Sequence, residues 1–127
     1  MYFLNTMKTT LKTSRHHYLA VSEQDKAWGL HASGAGYARI TPNESYPPGN
    51  HPTGYAFSWK KGRALQEYAL VYITQGRGLF ESKNHRKPLT AGDLIILRPG
   101  QWHRYRPDPE TGWHEYWICF NGHIADH

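Results

Sequence analysis

The chain has one cysteine, Cys119, set between Ile118 and Phe120. Without a second thiol no internal disulfide can staple the fold, and a buried thiol in a reducing compartment is the plain reading. Long apolar runs are missing as well. No segment approaches the roughly 20 apolar residues that span a bilayer, and the opening "MYFLNTMKTTLKTSRHHYLA" has no unbroken core of a signal peptide. These two gaps point to a soluble, cytoplasmic protein with no membrane partner. Helical periodicity is scarce too: no long stretch carries a 3.6-residue pattern, and no helix-turn-helix pattern follows Gly122. Sequence-specific DNA binding is therefore not expected of this polypeptide. Acidic residues are outnumbered ten to fifteen by basic ones, a formal charge of +5. That favours acidic partners such as DNA or a membrane surface, although a solvated basic face is the simpler account. Internal repeats and low-complexity tracts are absent.

What is present suits one domain. With 127 residues, 39% of them hydrophobic and 14% aromatic, the chain can fill a sizeable core. Residues 1–27 are polar and show neither period, which predicts a flexible N-terminal lead-in without a core. From Trp28, "WGLHASGAGYARI" carries small residues before a short strand-like run at Tyr37 to Ile40. The stretch "TPNESYPPGNHPTG" then reads as a long loop stiffened by proline. Short strand candidates follow at regular intervals: "YAFSW", "EYALVYIT", "GLFES", "KPLTA", "DLIILRP", "HRYRP" and "WHEYWICF". Many short strands at this spacing mean an all-β sandwich or barrel. The domain is expected over 28–122, with a short tail at 123–127.

Alternation sorts the side chains. In "WHEYWICF", Trp113, Glu115, Trp117 and Cys119 share one face, while His114, Tyr116, Ile118 and Phe120 share the other. Both faces are largely apolar, so this strand is expected in a wall covered outside by a second layer or a partner. In "HRYRP", His103 and Tyr105 are expected inward, with Arg104 and Arg106 toward solvent.

The segments "YALVYITQGRGLF", "LTAGDLIILRPGQWHRY" and "WHEYWICFNG" resemble the cupin-type, sugar-binding and dimerisation domain at the N-terminus of AraC-type transcriptional regulators. The resemblance spans roughly Trp28 to Gly122. Gly76 and Gly78, Gly92-Asp93, and Pro99-Gly100 followed by His103 are shared with cupins generally; the aromatic strand ending in Phe120 narrows the match. It implies a cupin-like β-barrel, a double-stranded β-helix or jelly roll, with an N-terminal arm. Gly76 and Gly78 suit a bulged hairpin that needs positive φ, and Pro99 presets the first turn position.

Metal-binding cupins supply a His-x-His pair and a Glu ahead of this hairpin. Those slots fall here near Arg63, Leu65 and Ala69, which cannot ligate, and His103 alone cannot hold an ion. His51, His85 and His114 lie in unrelated loops or on the opposite face, so no metal and no cofactor is expected. The remaining inner set suits a sugar, which presents apolar C–H faces and a rim of hydroxyls. Trp117 offers a flat surface, Glu115 two acceptor oxygens, Tyr105 a hydroxyl, Lys61 or Arg63 a cation, and His103 an inner-wall hydrogen bond or ligand contact. The resemblance places the family's ligand-contacting residues on Lys61 (or Arg63), Tyr105, Glu115 and Trp117. Lys in place of Arg, and Glu in place of His, argue against arabinose as the ligand. It further implies that "WGLHASGAGY" is a lid over the mouth, with Trp28, His31 and Tyr37 as contacts.

The expected function is thus a sensor domain for a small-molecule effector, a mono- or oligosaccharide, covered by the N-terminal arm. DNA would be reached only through a helix-turn-helix domain absent from this chain, and a homodimer is an open expectation. Two rivals follow from the same residues. One is a metal-free sugar isomerase or epimerase with His103 as base and Tyr105 as acid. The other is an interaction module whose barrel is closed by its own side chains.

Overall fold

The computed structural model describes residues 14–47 and 58–127. Among the described residues seven strands carry the fold: β1 (Ser14–Tyr18), β2 (His31–Ile40), β3 (Tyr68–Ser82), β4 (Arg86–Thr90), β5 (Leu94–Leu97), β6 (His103–Pro107) and β7 (Trp113–Asn121). One short helix among the described residues, α1 (Glu23–Ala27), precedes β2, and a 3-10 turn lies at His123–Asp126. All pairings between strands are antiparallel, and β1, β2, β7, the first half of β3 and β5 form one wall. The second half of β3 pairs with β4 and β6 to form the other.

The long strand β3 joins the two walls, and its register against β7 slips between Ile73 and Gln75. An extra residue at this point bends the strand and raises its twist, which lets a single strand serve both walls. Gly76 sits just beyond the slip with φ +82°, and a Cβ there would lie 2.2 Å from the Gly112 carbonyl oxygen. Gly78 differs from expectation. It needs no positive φ; its role is to leave room for the Trp113 ring, whose Cζ3 would be 2.4 Å from an added Cβ. The core between the walls is built from alternate residues, among them Ala38, Ile40, Val71, Ile73, Leu97 and Trp113.

Several expectations are corrected here. The candidates "EYALVYIT" and "GLFES" are one continuous strand. "YAFSW" falls partly outside the described residues, and its Ser58 and Trp59 are not in a strand. The segment 14–27 is ordered: β1 pairs with β2 over five residue pairs, and Ser14 is buried. A ladder of backbone hydrogen bonds needs no side-chain alternation, so periodicity could not show it. Helix α1 starts at a reciprocal cap in which the Ser22 hydroxyl accepts from the Asp25 N–H and the Asp25 carboxylate accepts from the Ser22 N–H.

The stretch expected to be a lid is also wall. Residues 31–40 form a ten-residue strand between β1 and β7. Its small residues serve lateral packing: at Gly36 an added Cβ would lie 2.4 Å from Cζ2 of Trp117. Nor do Arg104 and Arg106 simply face water. Arg104 is ion-paired to Glu81 at 2.6 Å, and both guanidinium carbons lie over the Trp59 ring, at 4.4 and 3.9 Å.

The outer face of β7 and its neighbours remains open among the described residues. Tyr72, Leu94, Ile96, Tyr116 and Ile118 are 40–59% exposed there, so the second covering layer is not supplied by the described chain.

Candidate functional site

The inner end of β6 and the middle of β7 face each other across the barrel. His103, Tyr105 and Glu115 are buried from them, and an isolated bridge between Arg63 and His103 brings the Arg63 side chain in beside them. Arg63 Nε donates to His103 Nε2 at 3.2 Å, and Arg63 Nη2 donates to the Tyr105 hydroxyl at 2.6 Å. His103 Nδ1 lies 3.0 Å from the Gln101 carbonyl oxygen. With Nε2 accepting, the proton sits on Nδ1 and the imidazole is neutral. Burial, with the Arg63 charge adding to it, depresses the His103 pKa to about 4 against the support of the Gln101 carbonyl.

Glu115 is only 1% exposed. Burial pushes its carboxyl up to about 7, outweighing the opposing pull of the Tyr46 hydrogen bond and the Arg63 charge. Tyr46 comes from the segment after β2. Its hydroxyl donates to Glu115 at 3.0 Å and lies 3.2 Å from the second oxygen. The ring stands edge-on to Trp113 at 5.9 Å and tilts over Tyr105 at 6.3 Å. Burial also raises the Tyr105 pKa to about 12, and raises that of Tyr46 well above its ordinary value with the Glu115 charge adding to it.

Trp117 completes the inner surface. Its indole N–H donates to His16 Nδ1 at 3.0 Å, on β1. His16, Gly36 and Trp117 are in register across β1, β2 and β7, and because Gly36 has no side chain the indole can lie across it to reach the imidazole. Burial lowers the His16 pKa, which favours the neutral acceptor this bond requires.

An open hollow was expected between these groups. The space bounded by Arg63, Leu65, Tyr105, Glu115, Trp117 and Cys119 is instead about 10 Å³, room for at most one water. The phenol of Tyr46 reaches in to Glu115 from one side. A second cavity, of about 180 Å³, lies on the outer side of Tyr46 and Tyr105.

Of the residues expected in the site, the structure brings together Arg63, His103, Tyr105, Glu115 and Trp117. It does not bring in Lys61, which is exposed in the preceding turn; its carbonyl accepts from the Trp102 indole. Trp28 caps the end of α1 with 73% exposure, because the following residues turn into a wall strand and not over the mouth. Tyr37 points to the outer face, 6.0 Å from Tyr116, since it alternates with the inward Ala38. His31 opens β2 opposite Asn121, away from the hollow. His51 lies outside the described residues. Tyr46 and His16 were missed. One sits in a proline-rich stretch and the other in an aperiodic segment, and no local signal marks either.

The hollow does not fit a metal ion. Of the imidazoles beside it, His103 Nε2 is taken by Arg63 and His16 Nδ1 by Trp117, and among the described residues no group of three or more His, Cys, Asp or Glu could hold an ion.

Antiparallel strands in two walls around a small polar hollow define a cupin-type barrel. The fold matches a predicted oxalate decarboxylase of Thermotoga maritima, with a TM-score of 0.50 at 17% identity over 86% of this chain and 80% of that one. It equally matches the Schizosaccharomyces pombe Cnp3 cupin domain, with a TM-score of 0.50 at 10% identity over 91% of this chain and 69% of the other. The chain belongs to the AraC-like ligand binding domain family, whose model matches residues 44–127. Among curated relatives, the raffinose operon transcriptional regulatory protein of Pediococcus pentosaceus is 33% identical over 69 residues, 54% of this chain and 25% of that protein. The lactose operon transcription activator of Staphylococcus xylosus is 37% identical over 58 residues, 46% of this chain and 21% of that protein. The chain thus spans about a quarter of the length of these relatives. No helix among the described residues is long and apolar enough to cross a membrane.

Proposed function

We propose that this domain senses a neutral carbohydrate, which enters the hollow by displacing the Tyr46 phenol. The observation that carries the reading is the Tyr46–Glu115 contact. A deeply buried carboxyl that favours its neutral form is costly without a partner, and the partner it has is a hydroxyl. A sugar hydroxyl offers the same donor to the same oxygens. Arg63 and Tyr105 add directional groups beside it, and Trp117 adds an apolar surface whose N–H is already bonded to His16. Two relatives named for sugar operons support the same class of effector.

Displacing Tyr46 would leave β1 and the indole of Trp117 as the route by which occupancy reaches the N-terminal segment. DNA contact would belong to another part of a longer regulator, and a homodimer remains part of this proposal. The isomerase reading has less support. The His103 lone pair is engaged by Arg63, and the Tyr105 proton is hard to remove, so neither group is poised for acid–base work.

The test is thermal denaturation of the purified chain across a panel of neutral mono-, di- and trisaccharides, with sugar acids and amino sugars as controls. A ligand present at about 100 times its Kd stabilises by about 2.7 kcal/mol, an easily read shift in Tm. At least one neutral sugar should give that shift, and Glu115→Ala should abolish it. Absence of a shift with every carbohydrate would end the reading, and turnover of any sugar would replace it with the enzyme.

A further inference from the structure

Tyr46 separates two spaces. Inside it lies the hollow with Glu115; outside it lies the cavity of about 180 Å³, bordered by Asn43, Glu44, Trp59 and Arg106. Tyr105 lines both, and Tyr46 lines the outer one while its hydroxyl reaches Glu115 of the inner one, so moving the phenol aside would open one toward the other. The phenol is itself a single six-membered ring carrying a hydroxyl. The space it vacates, with only about 10 Å³ beside it, takes at most one sugar ring, and any further ring of the same ligand must lie in the outer cavity.

The chemistry of that cavity supplies hydrogen-bond donors. The Arg106 guanidinium carbon lies over the Trp59 ring, 3.9 Å from its centroid, and the group makes no hydrogen bond to a described residue. Attraction to the ring face restrains the guanidinium while leaving N–H donors for a ligand. The Asn43 side-chain amide likewise has no partner among the described residues, and its backbone is pinned at φ +63° by an N–H bond to the Pro109 carbonyl oxygen. The carboxylates there already have donors: Glu44 accepts from the Thr41 hydroxyl and N–H, and Asp108 is paired with Arg77 at 2.9 Å. These donors offer hydrogen bonds to acceptor oxygens, and in a ligand whose first ring is a neutral sugar those oxygens are the hydroxyls of a second ring.

We propose that the effector is a sugar of at least two rings, the first replacing the Tyr46 phenol against Glu115 and the second read in the outer cavity by Asn43 and Arg106. This rests on the carbohydrate reading above and narrows it from sugars in general to disaccharides and longer.

Isothermal titration of the purified chain with galactose, glucose, lactose, melibiose and raffinose tests it. At least one of the longer sugars should bind about tenfold or more tightly than either monosaccharide. Asn43→Gly keeps the left-handed backbone while deleting the amide, and Arg106→Met keeps an apolar stem against Trp59 while deleting the donors. Together they should reduce that preference to below about threefold, since one to two hydrogen bonds are lost from the second ring alone. Monosaccharides binding as tightly as every longer sugar would overturn the two-ring proposal while leaving the sugar sensor standing. So would a preference that the double variant leaves intact, or affinities for short and long sugars that fall by the same factor. Failure of all five sugars, with any other sugar class also silent in the thermal panel, would instead remove the carbohydrate reading itself.

Discussion

Replacing Glu115 with Gln should change how stability depends on pH, by an amount fixed by the burial of one carboxyl. In the folded protein this group titrates at about 7, against an ordinary value of 4.5. Between those values the native state holds a proton that the unfolded chain has released, so the wild-type stability contributed by this group is full below about 4.5 and falls as pH rises through about 7. The whole change is about 3 kcal/mol, from 1.36 kcal/mol per pKa unit. Gln cannot ionise and loses none of it. His103 runs the other way. Its folded value of about 4 lies below the unfolded 6.5, so its contribution is full above pH 6.5 and is lost as pH falls through 4. The two slopes oppose each other over most of the same window and flatten the wild-type profile. Urea unfolding of both proteins at intervals from pH 4.5 to 8 isolates the carboxyl, because the imidazole is common to both. The stability of Glu115→Gln minus that of wild type should rise by about 3 kcal/mol across the window. Parallel profiles, with a difference independent of pH, would refute the claim that Glu115 resides in a dry, weakly compensated site.

Three further outcomes follow from the same contacts. Tyr46→Phe removes the hydroxyl from Glu115; it should cost about 1–2 kcal/mol in urea unfolding and move the carboxyl titration still higher, since that bond favours the charged form. Arg63→Met removes both the charge that depresses His103 and the donor on its Nε2, so the imidazole should titrate closer to its ordinary value, as read from ring-proton shifts by NMR. Gly36→Ala would place a Cβ 2.4 Å from the Trp117 indole and 2.4 Å from the Arg15 carbonyl oxygen. It should destabilise by about 1–3 kcal/mol and shift tryptophan emission to the red, and an unchanged spectrum would show that the indole does not lie across that residue.

Much of the barrel is legible in the sequence because alternation is a backbone property. In β7, Trp113, Glu115 and Cys119 are buried as their two-residue spacing requires, and Tyr116 and Ile118 are exposed on the other side. His103 and Tyr105 face inward for the same reason. Where pairing depends only on main-chain bonds, as in β1, no spacing announces it. The lid expectation failed at β2 because Ala and Gly have weak strand preferences, while their real use is to make room for Trp117, a demand set by a residue about eighty positions away in the chain. Arg63 is at the hollow and Lys61 is not, since the bridge to His103 fixes which of the two cations turns inward. Tyr46 could not be found from spacing: its position depends on where a nonrepetitive segment crosses the barrel.

On the outer wall, Tyr37, Tyr116, Tyr72 and Leu94 stand side by side across four strands, with Ala35, Ile118, Leu70 and Ile96 in the next row. A band with so little charge sets the character of any surface laid against it. Association there would gain from excluded water, and sulfate would strengthen it where it would weaken a contact between opposite charges. Raising the ionic strength therefore distinguishes, in a single titration, attachment through this band from attachment through the basic surface of the same domain.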